Sequence, residues 1–275
     1  MKSEFYTLRH LPNVRIVAIL AVMMAGISAV LQWALPFLLK IDPPQVGDSP
    51  TGQQVQALID GSDPTTSSFQ LAALDITGSG QSTGISIFLI AIVALTITAA
   101  SYPFSSGAVV WKVVGAGSRM KWVRSLITVV LSTVLLVCAG ACVLNSLIAL
   151  VAAPMNDVSL VASASNVAVV WLRGSLAVLL LTLAIIGVVL AIRRIGPAIG
   201  VIVAVLMAGV ILGTIGVMAG WEPYFYSWLP SSAVSIAGGQ GATQTMNPWV
   251  GIAVLAGWSV VSMGLGLTRF HRANL

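Results

Sequence analysis

Six long apolar runs, separated by short polar segments, constrain this chain more than any other feature. None of the six contains an Asp or a Glu. A helix of about 20 apolar residues is enough to cross the hydrocarbon core of a bilayer. The sequence therefore predicts six membrane-spanning helices, at residues 14–39, 85–104, 122–153, 167–192, 198–220 and 250–267.

The scarcity of charge supports the same fold class. Only 8% of the 275 residues are charged, whereas a soluble domain carries roughly 25%. Lipid must then be the main solvent, and we predict a single all-α membrane domain over residues 1–275. The basic residues fall in small groups between apolar runs, without the continuous basic stripe of a nucleic-acid-binding domain. We expect no nucleic-acid partner.

The distribution of Lys and Arg predicts the topology. With both termini in the cytoplasm, all but two of the 13 basic residues lie inside, the exceptions being Lys40 and Arg173. All but one of the 8 acidic residues, Glu4, then lie outside. Cytoplasmic loops are enriched in Lys and Arg. We therefore predict that both termini are cytoplasmic.

Three of the segments outside the spans have distinct compositions. Residues 1–13 alternate charged and apolar side chains at helical spacing, which predicts an interfacial helix on the membrane. Residues 40–84 are acidic and rich in Ser, Thr, Gly and Pro, and form an outer loop that is either solvated or serves as a lid or docking surface. Residues 221–249 are aromatic and interrupted by proline, which predicts an outer re-entrant segment before the last span.

The loop at residues 105–121 is the main candidate site. It carries Val110, Trp111, Lys112 and Val113 on a predicted short helix, followed by Arg119. Apolar side chains in this setting suit burial in a soluble partner. The alternative is a solvated basic loop that contacts anionic lipid.

A few residues within the spans could line a path or an interface. Asn145 is expected to form an interhelical hydrogen bond. Arg173 either reaches the lipid headgroups or forms an ion pair, or it faces a water-filled cavity and touches cargo. The glycines of the fifth span follow the G-x-x-x-G spacing that permits close helix packing, either between subunits or within the chain; they are Gly209, Gly213, Gly216 and Gly220. Cys138 and Cys142 are expected to be small packing residues.

Several chemistries are disfavoured by the sequence. Every acidic residue and both histidines lie outside the predicted spans, so no carboxylate or histidine relay for proton transport is expected at membrane depth. No lysine follows a glycine, so the chain has no G-x-x-x-x-G-K-[ST] phosphate loop. We therefore expect no catalytic, cofactor or metal site in this chain, and no ATP site of the P-loop type.

Three stretches resemble the type-2 permease family, the membrane subunits of bacterial ABC exporters. Residues Ser3 to Arg9, SEFYTLR, resemble the family's opening S-E-[WF]-x-K-L-R, with Thr7 in the lysine position. Tyr102, Gly107 and the run Gly117-Ser118-Arg119 resemble the loop after span two, with Ser101 where an acid is usual. Residues 221–248 resemble the outer re-entrant segment.

The resemblance implies an ATP-driven exporter in the bacterial plasma membrane. Two permease subunits, identical or not, would enclose a path for an amphipathic or hydrophobic substrate. Two separate ATPase subunits would bind the ATP. The loop after span two would be the coupling helix, with Val110, Trp111, Lys112, Val113 and Arg119 as its contact residues. The alternatives are an accessory subunit of another membrane complex, and an intramembrane enzyme or channel.

Overall fold

The chain is almost entirely helical. The computed structural model describes residues 11–41, 59, 61–78, 85–221, 225, 227–239 and 246–272. Of these residues 84% are helical and none forms a strand. The helices are α1 (Pro12–Ile41), α2 (Ser67–Leu74), α3 (Ile87–Ser105), α4 (Val109–Ala116), α5 (Arg119–Met155), α6 (Ala164–Ile192), α7 (Ile195–Met218), α8 (Pro230–Gly238) and α9 (Pro248–Arg272).

Six of these helices are long and apolar enough to cross a membrane, which confirms the predicted all-α membrane architecture. They are α1, α3, α5, α6, α7 and α9, and each overlaps one predicted span. For three of these helices, the residue that marks the helix start lies directly before it in the sequence. Ser86, Ser118 and Ser163 precede α3, α5 and α6, and each side chain accepts a hydrogen bond from a backbone N–H three residues later. Residues 1–10 of the predicted interfacial helix lie outside the described part.

The helices α6 and α9 are in close backbone contact. A Cβ added to Gly187 would lie 2.6 Å from the backbone nitrogen of Met263, and one on Gly266 would lie 2.5 Å from the carbonyl oxygen of Gly187. Any side chain at either position would therefore collide with the backbone of the other helix. The two helices can approach this closely only because both positions are glycine.

The bundle has two chemically different ends. Arg119, at the start of α5, donates to the carbonyls of Phe270 and His271, so that the end of α9 lies beside the start of α5. We call this the basic end, since it carries Arg15, Lys112, Arg119, Lys121, Arg124, Arg193, Arg194, Arg269 and Arg272. At the acidic end, α2 contacts the α5–α6 loop. The described carboxylates, Asp63, Asp75 and Asp157, all lie on that side. That the basic end faces the cytoplasm stays a prediction.

Part of the predicted outer loop is folded into the bundle. Within residues 40–84, Thr66 caps α2 by accepting from the N–H of Phe69. Gln70 is fully buried, where its amide donates to Pro64 O and Ser159 O, and accepts from the N–H groups of Val161 and Ala162. Just before α2, the hydroxyl and the N–H of Thr65 donate to Asp63 and lower the pKa of that exposed carboxyl. The expectation of a solvated loop was wrong for residues 69–78, which are buried or half-buried, because Phe69, Ala73 and Leu74 give α2 an apolar face.

The segment before the last span contains the short helix α8. It packs against α6, α7 and α9, and its buried residues include Ala233, Val234 and Ala237. Ser231 donates to Leu206 O of α7 at 2.9 Å. Residues 222–224, 226 and 240–245 of the predicted re-entrant segment lie outside the described part, and the depth of α8 in a membrane stays a prediction.

Candidate functional site

The short helix α4 is bounded on both sides by glycine turns. Gly107 precedes it with φ 67°, and Gly117 ends it with φ 72° while donating its N–H to Val114 O. Both glycines adopt the left-handed conformation that other residues avoid. Ser118 then caps α5 by accepting from the N–H of Lys121. The chain therefore turns sharply before and after α4.

The two sides of α4 have different surroundings. Val109, Val113 and Ala116 pack against the buried core of the bundle. The opposite side presents Val110, Trp111 and Val114, whose exposed fractions are 42%, 79% and 68%. Residues three or four apart share a helix face, so the spacing explains both groups. Of the predicted contact residues, Val110 and Trp111 are exposed, whereas Val113 lies on the packed side.

Three aromatic rings near the ends of α3, α5 and α9 join these three long helices. Phe104 of α3, Trp122 of α5 and Phe270 of α9 have ring centroids 5.4 to 6.3 Å apart. We call these rings the aromatic cluster. Trp122 and Phe270 are almost completely buried. Phe104 meets both other rings edge-to-face, and the rings of Trp122 and Phe270 are tilted by 35° to each other. Aromatic pairs at such distances are favourable, so the cluster ties the ends of α3, α5 and α9 together at the end of the bundle that carries α4.

Two charged residues predicted to contact a partner differ in their placement. Arg119 donates to His271 O at 2.8 Å and to Phe270 O at 3.4 Å, which satisfies carbonyls in the last turn of α9. Its guanidinium is therefore engaged within the chain, a role that its position in a basic loop did not indicate. Lys112 lies on α4 between the two faces and is half-buried.

Asn145 lies in the interior, between α5 and α1. It is buried, and with its amide oriented to satisfy the hydrogen bonds, its nitrogen donates to Ala141 O and to Ala25 O, both at 3.2 Å. The second bond joins α5 to α1, as the sequence predicts. Asn145 and Ser28 also line a cavity of about 10 Å³, which is room for roughly one water molecule. The structure therefore places Asn145 in helix packing beside a small void.

Arg173 holds the end of α8. Its Nη2 donates to the carbonyl of Gly238, at the C-terminus of that helix. The next residue, Gly239, has φ 71°, and a Cβ there would lie 2.5 Å from the same nitrogen. The last carbonyls of a helix lack partners within the helix, and a cation is favoured beside them. Of the predicted roles, contact with headgroups, ion pairing or contact with cargo, none describes this contact with the protein backbone, whereas the electrostatic interaction of Arg173 with Asp75 is of the kind that ion pairing predicts.

Asp75 is the buried acid that the sequence analysis missed. It was assigned to a polar outer loop, yet its exposed fraction is 5%. The carboxylate accepts from the N–H and the hydroxyl of Thr77, interacts electrostatically with Arg173, and would lie 3.3 Å from a Cβ on Gly174. Asp75 lies outside the six predicted spans, as expected, but the expectation of a solvated loop was wrong for this residue. The only sequence signal was its position directly after the apolar face of α2.

The glycines of the fifth span have separate environments. Ser231 of α8 occupies the space that a Cβ on Gly209 would need, and Leu229 Cβ would lie 3.1 Å away. Gly209 is thus used for packing within the chain. Gly220 follows α7 with φ 68° and open space around it. Gly213 is half-buried and Gly216 is buried.

The described residues hold no cluster of metal-ligating side chains and no disulfide, and they line a further small cavity. Within the described ranges, no three His, Cys, Asp or Glu side chains are grouped so that they could hold a metal ion. Cys138 and Cys142 are buried and unpaired by any disulfide. A second cavity of about 10 Å³ lies between α3, α6, α7 and α8. Comparison with protein-family models, with curated proteins and with solved structures gave no match to this chain.

Proposed function

We propose that this chain is the permease subunit of an ATP-driven exporter in the bacterial plasma membrane, and that a separate ATPase subunit supplies the energy. The observation that carries the proposal is α4, a short helix at one end of the membrane bundle that exposes Trp111 and Val114 while its opposite side is packed. A tryptophan that is 79% exposed at a helix end suits burial in a partner.

The packing behind α4 supports a coupling role. A partner that pushed on Trp111 would move a helix whose other face contacts the core through Val109 and Val113. That core includes the aromatic cluster of α3, α5 and α9. Displacement of α4 would therefore act on three membrane helices together, which a flexible basic loop could not do.

The small size of the cavities favours a second permease subunit. The two voids described above hold about 10 Å³ each, far below the roughly 300 Å³ of a small-molecule site. We propose that the path for an amphipathic or hydrophobic substrate forms between two such subunits, identical or not. Each chain would then form one side of the substrate path and carry its own coupling helix.

Substitution of Trp111 tests the proposed function. Trp111→Glu places a charge where the partner buries an apolar ring, and buried tryptophans at interfaces contribute about 2–4 kcal/mol each. We expect ATPase copurification to fall at least about thirtyfold and ATP-dependent transport to be lost, with the melting temperature of the isolated chain unchanged. The measurement is the ratio of ATPase to permease after membrane extraction.

Two further variants complete this experiment. Trp111→Phe keeps an apolar ring and should retain the complex, whereas Val114→Glu, on the same exposed face, should reproduce the loss. Full ATPase association by Trp111→Glu would refute the coupling assignment. Release of the chain from anionic lipid, without any effect on a protein partner, would instead identify α4 as a lipid-contacting segment. A stable complex with subunits that do not hydrolyse nucleotide would favour an accessory role.

A further inference from the structure

The turn between α6 and α7 carries two adjacent arginines. α6 ends at Ile192, and α7 begins at Ile195, so Arg193 and Arg194 form the whole connection. Arg193 has φ 59° and donates its backbone N–H to Val189 O at 2.8 Å. This left-handed position at a helix end is usually occupied by glycine. Backbone conformation alone therefore does not explain an arginine at residue 193.

The side chain of Arg193 lacks an acceptor within the described structure. The residue is half-buried, and its Nε is shielded from solvent with no hydrogen-bond partner among the described residues. Leaving a buried donor unsatisfied is costly, more so for a charged group. Arg194 beside it is exposed. A hydrogen-bond acceptor from outside the chain would remove the free-energy cost of leaving Arg193 Nε unsatisfied.

No described carboxylate is available at this turn. Asp63, Asp75 and Asp157 are the only acids in the described ranges, and all three lie at the acidic end. In the sequence, residues 158–221 contain no acid at all. Within the described residues the two adjacent guanidinium groups have no carboxylate partner, and a phosphate from another molecule would supply the negative charge.

The start of α7 offers an apolar surface next to these charges. A Cβ added to Gly196 or to Gly200 would meet nothing within 4 Å. Ile195, Ile199 and Val203 are exposed along the same helix. Because α7 is apolar enough to cross a membrane, this open surface is suited to an acyl chain.

We propose that the α6–α7 turn binds one anionic phospholipid, with its phosphate held by Arg193 and Arg194 and an acyl chain lying along the start of α7. Guanidinium groups bind phosphate through two parallel hydrogen bonds, and anionic lipids concentrate near basic residues at a membrane surface. The lipid phosphate supplies the acceptor that Arg193 Nε lacks. This site is separate from the exposed face of α4 and does not rest on the proposed transport function.

Native mass spectrometry of the full chain with phosphatidylglycerol tests the proposal. The double variant Arg193→Gly/Arg194→Gln removes both guanidinium groups and gives residue 193 the amino acid that its backbone favours. We expect the tightest bound phosphatidylglycerol to be lost or weakened at least about tenfold, because the charge-assisted hydrogen bonds from both guanidinium groups to the phosphate are removed. The melting temperature in neutral detergent should be unchanged or higher. The matched control Arg272→Gln removes an exposed arginine at the same end and should retain that lipid.

Three results would overturn the proposal. The first is unchanged phosphatidylglycerol binding by the double variant. The second is equal affinity of the wild-type chain for phosphatidylglycerol and the zwitterionic phosphatidylcholine, because the site would then not select negative charge. The third is displacement of the lipid by millimolar inorganic phosphate, which would assign the arginines to a free anion.

Discussion

Replacing Gly187 by leucine should lower the free energy of unfolding by at least about 3 kcal/mol, because inserting side-chain atoms into a filled helix contact forces the backbones apart. Even a Cβ at this position would lie 2.6 Å from Ser262 O and from Met263 N of α9. These are backbone atoms, so no change of side-chain rotamer can relieve the collision. α6 and α9 form the most extensive helix pair of the bundle, and their separation would disturb α8 as well.

A size series and a matched control define this experiment. Gly187→Ala should already destabilise, and Gly187→Leu should do so more strongly or prevent folding. Gly264→Leu on α9 is the control, since a Cβ there meets nothing within 4 Å and the residue is exposed. The measurement is the thermal unfolding midpoint of the purified protein in one detergent. Equal midpoints for Gly187→Leu and Gly264→Leu would contradict the described α6–α9 packing.

The second large effect is expected at Asp75. Asp75→Asn keeps the size of the side chain but removes the negative charge beside Arg173. The substitution also replaces an oxygen that accepts from Thr77 by an NH2 group that cannot accept. Because hydrogen bonds to charged groups contribute about 1.5–3 kcal/mol, we expect a loss of stability in that range. Asp157→Asn, at an exposed position of the same end, is the matched control and should change stability by less than about 0.5 kcal/mol.

A double-mutant cycle separates the interaction from the burial of each residue. Arg173→Gln alone removes the donor to Gly238 O and should also destabilise. The double variant Asp75→Asn/Arg173→Gln should cost at least about 1 kcal/mol less than the two single losses together. Strictly additive losses in the unfolding measurements would show that the two side chains do not interact.

The long helices were predictable because their signal is local. Each needs only about 20 consecutive apolar residues, and the serine caps at Ser86, Ser118 and Ser163 lie one residue before the helix begins. The short helix α4 was also expected, since Gly107 and Gly117 bound an apolar segment. Such features depend on the residues themselves and not on what packs against them.

The partners of polar side chains were not predictable in the same way. Asp75 is buried only because α2 docks in the bundle, and that docking depends on Gln70 reaching backbone groups near residue 160. Arg119 and Arg173 each donate to backbone carbonyls far along the chain, at His271 and Gly238. Residue types do not show which backbone carbonyls lie unpaired at a helix end, so neither contact could be predicted from the sequence.

The two faces of α4 show the limit of predicting, from the sequence pattern alone, which side chains are exposed. The sequence placed Val110, Trp111, Lys112 and Val113 together as one contact group. In the structure Val113 packs inward, and Val114 takes the exposed place beside Trp111. Helical spacing permits two faces on an apolar helix of eight residues, and only the packing of α4 against the core decides which one is covered.

The most direct test of the central claim is site-specific crosslinking from position 111 in native membranes. A photoreactive amino acid replacing Trp111 should form its main protein adduct with a nucleotide-hydrolysing subunit on the cytoplasmic side, and the adduct should be absent when the probe replaces the packed Val113. A position 111 that is labelled only by reagents added outside the cell, or that crosslinks only to lipid, would contradict the account.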